Sequence, residues 1–193
     1  MVKYILFIFF ILVCNAVAAQ FTVNVQWQSV SPGYNSDSIY YDADRKLTWA
    51  DFIGRPDAAS PAGAITESGF GYRMTMKSLN RRTSINITVF CYFNKNKSWV
   101  KRRMRTAYAL EHEQHHYDIT YINTCLFIQK LKEAKLTKSN FSSLVEKIHD
   151  ECFEALNKMQ DDYDGQTSNG RIEGMQFAWN KKIDAQLAAL ITN

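Results

Sequence analysis

The sequence predicts an α+β fold, in which a small antiparallel sheet in the N-terminal half packs against a helical C-terminal half. Strand-like alternation of apolar and polar residues is confined to residues 20–100. Helix-friendly sequence, interrupted only by Gly165, Gly170 and Gly174, fills residues 101–193. Because a chain of this length can bury a substantial core, we expect residues 20–193 to form a single domain.

The segment 1–19 has the pattern of a secretory signal peptide. Lys3 precedes an apolar run from Tyr4 to Val13, and the small residues of AVAA (16–19) follow it. The apolar run is too short to span a membrane comfortably. We therefore expect cleavage before Gln20, export to the periplasm or the extracellular space, and no transmembrane span after cleavage.

Three strands are predicted from alternation with a period of two, which gives each strand one buried face. Their apolar positions are Phe21, Val23, Val25 and Trp27, then Phe70, Tyr72, Met74 and Met76, then Ile85, Ile87, Val89, Cys91 and Phe93. Only the polar stretch KSLNRR (77–82) separates the last two strands, so we expect them to form an antiparallel hairpin. Residues 31–68 hold all three prolines and should form loops and short strands.

Three helices are predicted after residue 100. The first covers about 101–136, and the second begins after Ser139 and Asn140. The second helix carries apolar residues at spacings of three, four and seven, the pattern of a helix with one buried face. The third covers about 171–191.

The first helix contains EHEQHHYDIT (111–120), in which His112, Glu113 and His116 complete an HExxH motif. On a helix the two histidines face the same way, one turn apart, and can bind one zinc ion. Zinc lowers the pKa of a bound water, and Glu113 is placed to take the proton from it. The motif therefore predicts a zinc site with a catalytic base. The alternative is a solvated helix face, and His115 is expected to be a supporting or surface group.

The segment that holds the third zinc ligand can be estimated if the first two helices form an antiparallel hairpin. Residues at equal distances from the turn then lie side by side on the two helices. Counted from a turn between Leu136 and Phe141, the segment DDYDGQTSNG (161–170) lies level with the two motif histidines. His149 lies about 18 Å along the helix from the level of His116, at 1.5 Å per residue, and is rejected as a ligand.

The same count places Cys125 and Cys152 at equal heights on the two helices. A disulfide between them is one possibility, and two buried free thiols are the other, because bridge geometry also depends on how each helix is rotated.

The formal net charge is +4, so the chain is only mildly basic. Its densest basic cluster is interpreted as a solvated turn that leads into the first helix, and the alternative is a contact with an anionic surface. This cluster consists of Lys95, Lys97, Lys101, Arg102, Arg103 and Arg105. No nucleic-acid-binding motif accompanies it, so no nucleic-acid partner is expected.

Three segments carry a resemblance to a known family: LTWADFIGRPDAASPAGAITESGFGY (47–72), EHEQHHYDI (111–119) and YDGQTSNGRIEGMQFAWN (163–180). Together they resemble Bacteroidetes-type members of the bacterial domain of unknown function 922, described as predicted secreted zinc-dependent proteases. The resemblance implies a zincin-like HExxH helix, with a catalytic glutamate and two histidine ligands at the motif positions already named. It also implies hydrolysis of peptide bonds in a peptide or protein substrate.

The chain departs from that family at the position of its third ligand. The family motif has the form YD-x-x-T-x-H; Tyr163, Asp164 and Thr167 match it, but Asn169 stands at the histidine position. A neutral amide oxygen is a poor partner for zinc. Asp164 first and Glu173 second could replace the histidine, although Asp164 also fits a helix-terminus or turn residue, which is the interpretation we favour. A second outcome is a site that binds metal weakly, with extra water. The alternative function is a catalytically impaired family member that acts as a non-catalytic envelope or binding protein.

Overall fold

A computed structural model describes residues 20–30 and 37–191 of the chain, and the predicted signal peptide lies outside the described residues. The strands are β1 (Gln20–Trp27), β2 (Ser38–Tyr40), β3 (Ala64–Ile65), β4 (Ser68–Leu79), β5 (Arg82–Asn94) and β6 (Trp99–Val100). The helices are α1 (Ala107–Glu133), α2 (Phe141–Thr167) and α3 (Glu173–Ile191). Short 3-10 helices lie at Trp49–Asp51 and Arg102–Met104. The predicted α+β class is confirmed.

Strand β5 is the centre of the main sheet. β4 pairs antiparallel with it from Ser68 opposite Phe93 to Leu79 opposite Arg82, which confirms the predicted hairpin. β1 and β2 share the other edge of β5, where β2 runs antiparallel and β1 runs parallel to it. The sheet is therefore mixed, and the prediction of a wholly antiparallel sheet is wrong for β1. A period of two fixes which face of a strand is buried but leaves the direction of its partner open.

The inward face of β5 forms the middle of the hydrophobic core. Its apolar residues, exposed by at most 1%, are Ile85, Ile87, Val89, Cys91 and Phe93. Helix α1 packs on this face of the sheet: the Tyr117 ring lies 5.8 Å from that of Phe93, and Phe127 lies 5.6 Å from Phe70 of β4. Each large apolar side chain buried here contributes about 1.5–3 kcal/mol to stability.

From His112 to Thr124, α1 is buried over most of its circumference, yet most of the side chains it buries there are polar. They include His112, Glu113, Gln114, His115, Asp118, Thr120, Asn123 and Thr124. Tyr41 and Gln114 both donate hydrogen bonds to Asp118, at 2.8 and 2.9 Å, while the Gln114 amide oxygen accepts from the backbone N–H of Leu47 at 2.7 Å. Such buried polar contacts fix the rotation of a helix, because turning it would leave them unpaired.

Helices α1 and α2 form the predicted antiparallel hairpin, with Lys130 and Glu151 joined across it at 3.2 Å. Cys125 and Cys152 are both free thiols, as in the second of the two alternatives, although only Cys152 is fully buried and Cys125 is half-buried. Cys125 forms a hydrogen bond with Tyr121 of its own helix, and burial raises the pKa of both thiols. Equal height along a hairpin therefore did not bring the two sulfurs into bonding geometry.

Helix α3 packs against the hairpin through buried Trp179 and Ile183, and the Trp179 indole donates to Gln166 of α2 at 3.0 Å. Within residues 20–30 and 37–191, no helix has the length and apolarity needed to cross a bilayer.

Candidate metal centre

Three potential ligand atoms converge where the HExxH face of α1 meets the last turns of α2. The Oδ1 atom of Asp164 lies 3.1 Å from Nε2 of His112 and 3.1 Å from Nε2 of His116. The two Nε2 atoms are also 3.1 Å apart, so the three atoms form an equilateral triangle. Among the described residues, this group of side chains could hold a metal ion.

The triangle has the dimensions and the chemistry of a zinc site. Ligand atoms about 2.0–2.1 Å from a tetrahedral zinc ion are separated from one another by about 3.3–3.4 Å, close to the spacing found here. Two imidazoles and one carboxylate are also a common protein ligand set of catalytic zinc sites. The residues present therefore fit zinc.

The hydrogen bonds of the two rings make the triangle attractive to a cation. Nδ1 of His112 lies 2.8 Å from the amide oxygen of Gln176, and Nδ1 of His116 lies 2.6 Å from that of Gln160. Each Nδ1 must carry a proton to bond an amide oxygen, and in the neutral ring this leaves Nε2 as an acceptor. Two Nε2 lone pairs and a carboxylate oxygen then face one another, and a proton or a metal ion between them would satisfy them.

The pKa values of His116 and Asp164 show which of these two groups carries a proton when no metal is bound. Burial by itself would lower the pKa of His116, but the hydrogen bond to Asp164 and the charges of Glu113 and Asp164 outweigh it and raise this pKa to about 9. Burial would raise the pKa of Asp164, but hydrogen bonds to both histidines hold it well below its usual range. Without metal, an ionised carboxylate thus faces a protonated His116.

Zinc binding to the metal-free protein is expected to release about one proton at pH 7, because a ligand imidazole must be neutral. His116 has a pKa of about 9 and holds that proton at pH 7. Apparent zinc affinity should therefore fall about tenfold for each pH unit below 9, while Asp164 stays ionised. Calorimetric titration in two buffers of different ionisation enthalpy measures the number of protons released on zinc binding. Binding heats that do not depend on the buffer would contradict the predicted release.

The three donors differ in their access to solvent. The side chains of His112 and His116 are 8% and 13% exposed, whereas that of Asp164 is 40% exposed. The triangle is therefore open on its Asp164 side. Catalytic zinc sites keep one coordination position for water or substrate, and an open side satisfies that requirement.

Glu113 follows His112 on α1 and is itself buried, and its charge acts on His116. The hydroxyl of Thr66, between β3 and β4, lies 2.7 Å from Oε2 of Glu113 and 3.1 Å from its backbone oxygen. A carboxylate that accepts a hydrogen bond from a fixed hydroxyl has a defined orientation. The connection between β3 and β4 thus holds the predicted catalytic base in place.

Of the three residues considered for the third ligand, the structure brings Asp164 to the two histidines. The interpretation of Asp164 as only a turn or helix-terminus residue is therefore corrected. Asn169 is exposed and adopts a positive φ of 56° in the turn after α2, where its N–H donates to the Asp164 carbonyl at 2.8 Å. Asparagine tolerates this left-handed conformation better than most residues. Glu173 is exposed in the first turn of α3, where an acidic residue favours the helix dipole, and it is outside the donor group.

The remaining histidines lie outside the donor group. His115 is 4% exposed and its Nε2 is 3.7 Å from Asp184 of α3, so it supports the packing of α3 and is not a surface group. His149 packs between Phe70 and Phe127, with ring centroids 5.2 and 5.6 Å away. This placement agrees with its rejection as a ligand.

Sequence reasoning missed Thr66 and the two glutamines. A signal for the glutamines was present: Gln160 lies between Leu156 and Tyr163 on the buried face of α2, and Gln176 precedes Trp179 at helical spacing. A polar residue on a predicted core face usually has a buried partner. No such signal marked Thr66, because its partner lies 47 residues away.

Comparisons with protein-family models, with curated proteins and with solved structures gave no match for this chain. The resemblance to the domain of unknown function 922 therefore stays a prediction, and so does the zincin-like character of α1.

Proposed function

We propose that this protein is an exported zinc-dependent metallopeptidase that hydrolyses peptide bonds. The observation that carries the proposal is the triangle of His112, His116 and Asp164, with Glu113 adjacent on the same helix. The two-histidine, one-carboxylate set and the open side of the site support a catalytic rather than a structural ion.

Zinc is the metal we propose among those that imidazole favours. Imidazole nitrogen suits zinc, copper, iron and nickel, whereas sites for magnesium and calcium are built from oxygen. Two nitrogens and one oxygen at nearly equal spacing match the tetrahedral preference of zinc.

The residues of the site divide the chemistry among them. When bound, zinc would polarise a water molecule and lower its pKa towards neutrality. Glu113 would accept the proton from this water at its carboxylate and pass it on to the departing amine nitrogen. Thr66 would keep the carboxylate oriented through its contact with Oε2. The peptide substrate is proposed from the HExxH motif and the family resemblance, and export from the pattern of residues 1–19.

The competing function is a non-catalytic envelope or binding protein, which the sequence favoured only through Asn169. Since Asp164 offers a third donor, Asn169 need not act as a ligand. The presence of asparagine at position 169 therefore no longer favours the non-catalytic protein. We therefore place the metallopeptidase first.

Elemental analysis of the purified protein tests the proposal. We expect one zinc per chain in the wild type, a loss of zinc in His112→Ala, and retention of zinc in His149→Ala, the matched histidine outside the site. Absence of zinc from the wild type, even after incubation with it, would reject the metallopeptidase and leave the binding protein as the better hypothesis.

A further inference from the structure

Each candidate ligand histidine forms a hydrogen bond through Nδ1, the ring nitrogen that faces away from the donor triangle, to a glutamine side chain. Neither glutamine belongs to the HExxH motif. Gln160 lies on α2 and faces His116, at 2.6 Å between its oxygen and Nδ1. Gln176 lies on α3 and faces His112, at 2.8 Å. The two glutamines belong to different helices, so all three helices, α1, α2 and α3, contribute side chains to the site.

The Gln160 amide can be oriented in only one way. Its nitrogen donates to the backbone oxygen of His116 at 2.8 Å, and a carbonyl oxygen can only accept. The amide oxygen must then be the atom that faces the ring, and it can only accept in turn. When the ring is neutral, as a metal ligand must be, this pair of contacts places the single proton of His116 on Nδ1.

Gln176 is fixed in the same sense and is more deeply buried, at 1% exposure. Its nitrogen donates to the hydroxyl of Tyr163 and to Oδ1 of Asn180, the latter at 2.6 Å. The Tyr163 hydroxyl can donate onward to the backbone oxygen of His112 at 3.4 Å, which completes the chain of hydrogen bonds. The Gln176 oxygen therefore accepts from Nδ1 of His112.

We propose that Gln160 and Gln176 are positioning residues that hold His116 and His112 in the one tautomer whose Nε2 lone pair points into the donor triangle. A neutral imidazole without such an acceptor divides itself between two tautomers, and only one of them can bind a metal here. Partners of this kind typically change metal affinity by about 10- to 100-fold. The inference rests on the metal-binding part of the proposed function.

One consequence concerns α3, which supplies no donor to the triangle. Because Gln176 belongs to α3 and holds His112, zinc binding and the docking of α3 must favour each other. Zinc should therefore slow amide hydrogen exchange in α3 of the wild type, and less so in a Gln176 variant.

The test replaces each glutamine by methionine, which has a similar length and removes the amide. Gln166→Met is the matched control, since Gln166 also links α2 to α3, through Trp179, without touching either histidine. Zinc affinity is measured by competition with a chromophoric chelator, using zinc alone as the probe. We expect about 10- to 100-fold weaker binding for Q160M and for Q176M, and a change of less than about twofold for Q166M.

A second readout identifies the histidine affected. In the zinc-loaded wild type, the Nδ1–H protons of both histidines should give slowly exchanging signals in nuclear magnetic resonance spectra. The His116 signal should be lost selectively in Q160M and the His112 signal in Q176M. General loosening of the fold would not produce this selectivity. If Q176M does not fold, as judged by circular dichroism of the metal-free protein, Q160M alone decides.

Two results would overturn the inference. Wild-type affinity in both folded glutamine variants would show that the amides do not position the rings, while leaving the zinc site itself intact. Equal weakening in Q166M would show that helix packing, and not the tautomer, sets the affinity. A wild type that binds no zinc would instead defeat the proposed function, and this inference with it.

Discussion

Replacing Asp164 by asparagine is expected to weaken zinc binding by about 100- to 1,000-fold. The substituted amide would keep the shape of the side chain but offer a neutral oxygen in place of a carboxylate that lies 3.1 Å from both imidazoles. Zinc sites with four protein ligands bind with about 10–16 kcal/mol, or roughly 3 kcal/mol per ligand, and each 1.4 kcal/mol is a factor of ten. Chelator competition on the purified variant measures the change.

Two further variants serve as controls. One tests whether the loss of any negative charge on α2 weakens zinc binding, and the other tests whether a histidine at position 169, as in the family motif, can act as the third ligand. Asp161→Asn removes an exposed carboxylate from the same helix and should leave zinc affinity within about twofold of the wild type. Asn169→His should not restore zinc binding to the Asp164→Asn protein if Asp164 is the third ligand. Unchanged zinc affinity in Asp164→Asn would remove Asp164 from the site and reopen the choice among the residues of the 164–173 segment.

Replacing Glu113 by glutamine is expected to lower peptide hydrolysis by about 100- to 10,000-fold while zinc stays bound. The amide cannot accept the proton from the polarised water, whereas the neighbouring donor triangle is left as it was. Hydrolysis is measured on a mixture of quenched-fluorescent peptides, with zinc content determined on the same samples.

Glu111→Gln is the matched control for this experiment, because Glu111 is an exposed glutamate two residues earlier on the same helix. It should retain wild-type activity. Full hydrolysis by the Glu113→Gln protein would rule out Glu113 as the general base, even if zinc were present. A zinc-loaded wild type that cleaves none of the peptides would instead favour the binding-protein hypothesis.

The parts of the fold predicted correctly depend on local geometry. Alternation along β4 and β5 predicted their hairpin and the buried face of β5, because side chains on a strand change sides at every residue. The parallel pairing of β1 was missed, because it joins residues 62 positions apart, such as Phe21 and Thr83. Nothing in the alternation of β1 states which way its neighbour runs.

Helix α1 shows why hydrophobic patterns failed near the site. Near the site, part of its buried surface is polar because Asp118 and Gln114 pair with the loop that contains Tyr41 and Leu47. A polar residue on a helix predicts exposure unless its partner is known, and these partners lie 67 and 77 residues away. Burial of His115 escaped prediction for a similar reason, since α3 covers it.

By itself, the sequence determined the pairing of His112 with His116, the place of Glu113 beside them, and the level of the hairpin at which a third donor lies. The first two follow from the fixed rise and turn of a single helix, and the third needs only the added assumption that the first two helices form an antiparallel hairpin. Only the tertiary structure decided that Asp164, and not Asn169 or Glu173, meets the histidines, and that two glutamines stand behind them. It also left Cys125 and Cys152 unbonded. The physical reason is common to all three outcomes: a count along the chain gives the height of a residue on a helix, but packing against the other elements sets the rotation of that helix.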